Sequence, residues 1–144
     1  MVFIICQGDE FQGEIDKVWK LNEILMKEPE KVHKNAINYN IETVNKNTIV
    51  QSWQTNTDNQ ITKNKMQFTT YYPLGVAVEI LQGKLEGSKA FVYFTPKEET
   101  TGVTVVGDFR SATLSDDDDQ LRQEVSSMVE NSFNEENAYL KKMS

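Results

Sequence analysis

Cysteine and histidine are almost missing from this chain, which has one of each, Cys6 and His33. One cysteine excludes an internal disulfide framework and a multi-cysteine zinc site, and it fits a reducing, cytoplasmic setting. Cys6 has no histidine near it in sequence and lies in a strand pattern, so it reads as a small core residue and not as a catalytic thiol. His33 is a candidate general acid or base, but between Lys31 and Lys34 its simpler reading is a solvated helix residue. Long apolar runs are missing too: no stretch approaches the roughly 18 residues of a membrane-spanning helix. The opening "MVFIICQGDEF" has no basic n-region and soon turns acidic, which predicts a first strand and no secretory signal. Basic residues are in deficit, 15 against 22 acids for a net charge of −7. That argues against a nucleic-acid partner, which needs clustered Lys and Arg. There is no internal repeat and no Pro/Gly-rich linker, so residues 1–144 read as one domain able to bury a real core. Finally, no GxGxxG, GxSxG, HExxH or P-loop pattern occurs, so no catalytic residue, cofactor or metal is predicted from motifs.

What is present is an ordinary globular balance, 38% hydrophobic and 26% charged. After the first strand the period becomes helical. Val18, Leu21, Leu25 and Met26 share a face, Trp19 lies alongside, and Pro29 breaks the run. Glu30 to Lys34 reads as a second short helix, set in a V with the first. The period then drops to two. "YNIETVN", "NTIVQSWQTN", "ITKNKMQFTTYY", "VAVEILQG", "SKAFVYFTP" and "VTVVGDFRSATL" form a meander of about six antiparallel strands. Gly107, inside the last of these, is a candidate bulge or bend. One long helix, from about Asp116 to Met143, closes the chain. Ser115 and the aspartates after it sit at its N-terminal end, and Lys141 and Lys142 at the other, each with the sign that the helix dipole favours. As a calcium site, "SDDDD" lacks the spaced ligands and turn glycine of a calcium loop.

The segment from Thr69 to Pro96 is rich in strand formers and holds two Glu and two Lys, but no His, Cys or Asp. It suits a wall that excludes water from an apolar guest, or alternatively a solid core. Together with "VW" in the first helix, "EPEK" after it, "YYPLG", "LEG" before "FVYF", "TTGVTV" and the closing "FNEENAYLKKM", it resembles the START/Bet v 1-like (SRPBCC) superfamily, nearest its polyketide cyclase/dehydrase and lipid-transport branch. The resemblance spans nearly the whole chain. It implies an α+β helix-grip fold, in which a curved antiparallel sheet of about seven strands wraps a long C-terminal helix. It also implies a cavity between sheet and helix for a lipid, polyketide, sterol or similar ligand. The polar "HKNAINYN" departs from the family's usual pattern at a segment that often helps form the cavity mouth.

Projected at about 100° per residue, the last helix gathers Leu121, Val125, Met128, Val129, Phe133, Tyr139, Leu140 and Met143 into one apolar arc. Ser132 and Glu136 fall inside this arc, one turn apart. They offer polar contacts to a ligand hydroxyl or carbonyl, unless the helix end projects past the sheet and leaves Glu136 in solvent. Val125, Met128, Val129, Ser132 and Glu136 are therefore the helix's candidate ligand-binding residues. The sheet offers Phe68, Tyr72, Phe91, Tyr93 and Phe109, in whichever strand phase faces inward. Asp108, Arg110 and Glu79 form either a polar cluster in the cavity or, by the preference of charges for water, a ladder on the outer face. Trp19 and Trp53 read as core, or one of them alternatively as part of the pocket lining. The expected function is binding or carriage of a small hydrophobic ligand. Two alternatives stay open: a cyclase/dehydratase-type enzyme using Glu136, Glu79, Arg110 or a Tyr, and a co-chaperone or toxin-like interaction module with a filled cavity.

Overall fold

A computed structural model describes residues 2–111 and 118–143. Strand β1 (Val2–Phe11) leads into helix α1 (Ile15–Lys27) and a 3-10 turn over Pro29–Lys31. Six strands follow: β2 (Ala36–Asn45), β3 (Thr48–Thr57), β4 (Gln60–Tyr71), β5 (Gly75–Gln82), β6 (Lys89–Pro96) and β7 (Thr101–Phe109). Helix α2 (Asp118–Lys142) closes the chain. All seven strands form one antiparallel sheet in the order β1-β7-β6-β5-β4-β3-β2. This is the helix-grip arrangement.

Two local expectations change. The second helix is only the three-residue turn over Pro29–Lys31. Val32 and His33 both donate their amides to the Pro29 carbonyl, and Val32 is the one side chain of Glu30–Lys34 that is buried. A single anchoring residue cannot hold a longer helix against water. Gly107 is not a bulge, because pairing runs regularly through it to Ala90 on one side and Ile4 on the other. It lacks a side chain for a different reason: a Cβ there would lie 2.5 Å from the Phe109 ring, 2.8 Å from Ala90 Cβ and 2.8 Å from the Lys89 carbonyl. The bulges lie elsewhere, in β1 between Cys6 and Asp9 and in β2 between Ile37 and Asn40, where Asn38 takes a φ of 57°. The proposed Ser115 cap, with Asp116 and Asp117, falls outside the described residues.

The arc on α2 packs against the inner face of the sheet, but not evenly along its length. Near the helix's start, Leu121 and Val125 join Ile4, Ile80, Leu85 and Phe109 in one buried cluster. Near its end, Leu140 joins Phe11, Val18, Trp19, Leu21, Val76, Phe94, Val103 and Val105 in another. Burying each such aliphatic side chain contributes about 1.5–3 kcal/mol, which anchors the helix at both ends. The helix also fastens the sheet's β1 edge: Arg122 donates to the Phe3 carbonyl at 3.2 Å, and Asn137 donates to the Glu10 carbonyl at 3.2 Å while accepting from the Gln12 amide at 2.9 Å.

Candidate ligand cavity

Between the two clusters α2 meets the sheet only in places, Phe133 stacking on Phe11 at 4.6 Å and Val129 packing against both clusters, and elsewhere leaves a gap. The gap is a cavity of about 560 Å³. Alternation along each strand decides its wall: Met66 and Phe68 come from β4, Val76, Val78 and Ile80 from β5, Ala90, Val92 and Phe94 from β6, and Val103, Val105 and Phe109 from β7. Val18, Leu21, Leu25 and Met26 of α1 close one side, and Met128, Val129, Ser132, Phe133 and Glu136 of α2 form the roof.

Of the residues expected from sequence, Phe68, Phe109, Met128, Val129, Ser132 and Glu136 line this cavity. Four others lie elsewhere. Phe91 and Tyr93 share a strand phase, and Val92 and Phe94 take the inward one, so the first pair lies on the outer face, rings tilted at 45° with centroids 6.2 Å apart. Tyr72 lies beyond the end of β4, 70% exposed, with its ring edge-on to Trp19. Val125 is 0% exposed and spent on the cluster around Leu121 and Phe109. Glu79, Asp108 and Arg110 are absent from the wall. Glu79 and Asp108 both pair in register with Lys89, and exposed Phe3, the other partner of Asp108, marks this as the outer face. Cys6 packs against both core clusters, and its thiol is pushed up first by burial and then by Asp9, away from reactive thiolate. Trp53 lines the cavity, whereas Trp19 packs in the core with its buried indole N–H lacking a hydrogen-bond partner among the described residues.

Most polar residues of the wall were not singled out from sequence; His33 was, but it is half-buried after the 3-10 turn instead of being a solvated helix residue. On β3 the inward phase is Gln51, Trp53, Thr55. Gln51 is 4% exposed and donates from Nε2 to the Leu25 carbonyl at 2.6 Å, tying α1 to the sheet. Asn64 donates to the Thr55 hydroxyl at 3.3 Å. Tyr39 stacks on Trp53 at 5.6 Å, and its phenol is pushed up to about 12 by burial and then by Glu135 and Glu30. His33 Nδ1 and Glu135 Oε1 lie 3.2 Å apart, joining the segment after the 3-10 turn to α2. His33, Tyr39 and Glu135, with exposed Asn35 and Asn131, give the wall a polar stretch. "HKNAINYN" is thus part of the wall. Its signal was hidden because the bulge at Asn38 resets the strand phase between Ala36 and Tyr39.

Glu136 is the exception in the roof. It lies deep among protein atoms and keeps some accessible surface where it borders the cavity. Burial, and then the neighbouring Glu135, pushes its carboxyl up to about 8. It has no hydrogen bond or ion pair among the described residues, while Glu135 has His33. A carboxyl raised in the folded state is bound to its proton there and ionised in the unfolded chain above its usual value near 4.5. Its contribution is therefore fully present below about pH 4.5 and is lost as pH rises through about 8. With His33, Glu135 and Tyr39 unchanged, Glu136→Gln is expected to remove a loss of a few kcal/mol across that window. Urea melts of parent and variant between these limits measure the difference. Parallel curves would show that Glu136 is solvated.

No protein-family model matches the sequence, and no curated protein matches it. In architecture the chain is similar to several crystal structures. Ara h 8.0201 superposes with a TM-score of 0.78 at 12% identity, over 99% of this chain and 100% of that one. The Zhui aromatase/cyclase from Streptomyces sp. R1128 gives 0.74 at 12% identity, over 98% and 95%. Norcoclaurine synthase from Thalictrum flavum gives 0.70 at 9% identity, over 99% and 88%. At such identities the likeness is one of fold.

Proposed function

We propose, on the premise of the START/Bet v 1-like (SRPBCC) fold, that this chain binds or carries a small hydrophobic ligand of lipid, polyketide or aromatic type in the cavity beneath α2. We read residues 1–144 as one domain acting in the cytoplasm. The cavity itself carries this reading. A volume of about 560 Å³ walled mainly by aliphatic and aromatic side chains, with a smaller set of polar groups among them, matches what a drug-sized apolar ligand requires. An interaction module would use the same residues as a filled core, and here the helix bridges a gap. Among the described residues no helix is long and apolar enough to cross a membrane.

Native mass spectrometry of protein purified without detergent tests the reading. The expected result is an adduct removed by organic extraction, after which the empty protein takes up ethylnaphthalene with quenching of Trp53 in the wall. A protein with neither adduct nor uptake would sink it. A second reading, chemistry on the bound ligand, is favoured by one observation: Glu136 lines the cavity with no partner among the described residues, and burial pushing its carboxyl up to about 8 would keep it protonated near neutrality, as a general acid requires. In that case the extracted ligand should change mass on incubation with the parent protein and not with Glu136→Gln. Equal conversion by both, or none by either, would reject it.

A further inference from the structure

We propose that the ligand carries a basic nitrogen, held as an ammonium against the Glu136 carboxylate, with the apolar part of the molecule in the remainder of the cavity. This rests on the hydrophobic-ligand reading and narrows it. The roof around Glu136 is otherwise Met128, Val129 and Phe133, with the Ser132 hydroxyl one turn back. Facing groups do not supply a counter-charge. His33 is taken by Glu135, Tyr39 is a neutral phenol, and Lys89, the one lysine bordering the cavity, stands in the outward strand phase of Phe91 and Tyr93. An anionic head arriving here meets the carboxyls of Glu135 and Glu136, and among the described lining residues the cations are His33, held by Glu135, and Lys89, in the outward strand phase. A cationic head meets a carboxyl with no other partner. Charge-assisted N–H to carboxylate bonds are about twice as strong as neutral ones and gain further in a dry site.

Holding an unpaired carboxyl inside an apolar wall lowers the stability of the empty protein. A bound ammonium removes that cost on complex formation. The group is then unfavourable only while the cavity is empty, and this coupling is what would make the site selective.

Three probes of one shape separate the possibilities: naphthylethylamine, naphthylacetate and ethylnaphthalene, titrated at neutral pH against the full chain and Glu136→Gln. The amine is expected to bind the parent about tenfold or more tighter than ethylnaphthalene, with naphthylacetate weakest. In Glu136→Gln the amine should fall to within about threefold of the neutral probe measured on the same variant. Because Glu136 holds its proton in the empty protein, amine binding to the parent should also release about one proton, read by calorimetry in two buffers of different ionisation enthalpy. The variant should release none. If ethylnaphthalene binds while the amine gains nothing, or if the amine preference survives in Glu136→Gln, this inference fails and the hydrophobic-ligand reading stands. If none of the three binds, both fall.

Discussion

Val125→Asp is expected to cost roughly 4 kcal/mol or more, enough to leave much of the chain unfolded at ordinary temperature. Val125 is wholly buried, at 0% exposure, among Ile4, Ile80, Leu85, Phe109 and Leu121. No donor or cation in that cluster can receive a carboxylate, and the cluster is one of the two points that fasten α2 to the sheet. Met128→Asp, one turn further on, should cost less. Met128 faces the cavity, so an introduced carboxylate keeps a route to water. Seen only as members of one helical arc, the two positions look equivalent, and Met128→Asp would be expected to cost several kcal/mol. Thermal melts of the two variants against the parent decide the matter. A Val125→Asp protein that melts like the parent, or a Met128→Asp protein that melts lower than Val125→Asp, would show that the helix is not seated as described.

Ser132→Trp should weaken binding of ethylnaphthalene by about a hundredfold or more while shifting the melting temperature little. Ser132 lies at the middle of the span where α2 roofs the cavity, so an indole there has empty space to enter and no core side chain to displace. It occupies the ligand's room. Val125→Trp, which arc geometry alone would treat as the same experiment, is expected to destabilise instead, because extra volume in a closed cluster forces strain of about 1–3 kcal/mol. Binding that survives Ser132→Trp in a folded protein would place the ligand elsewhere.

How far the sequence carries can be argued from these residues. Period-two runs and turn signals located every strand, and the apolar arc located α2, because both patterns report on local geometry. Order and spacing then pointed to the helix-grip fold. The cavity's wall was less legible. A helical projection tells which side of α2 is apolar, but not that Val125 is closed inside the cluster while Met128 packs at its edge and borders the cavity. That difference depends on how far the sheet curves beneath each turn. For the strands, "KAFVYFTP" offers two equally apolar phases, and only the packing of Val92 and Phe94 under α1 and α2 selects one. The polar part of the wall was hidden in a further way. Gln51, Asn22 and Tyr39 are polar residues turned inward, against the usual preference. Their positions follow from α1 lying close over β3 and from the bulge at Asn38.

An open sheet has two unpaired edges, and each is an invitation to a second copy. The contacts from α2 to β1 withdraw one of them. Arg122 and Asn137 occupy carbonyls at opposite ends of the strand, so another chain would have to displace the helix before it could add a strand there. The β2 edge is treated differently. Its backbone departs from regular pairing at Ile37/Asn40 and again at Thr43/Asn45, and a strand bent twice in ten residues offers no straight template for polymer growth. One edge is covered by the helix and the other is bent, so the broad hollow sheet stays protected from edge-to-edge aggregation even while the cavity stands empty.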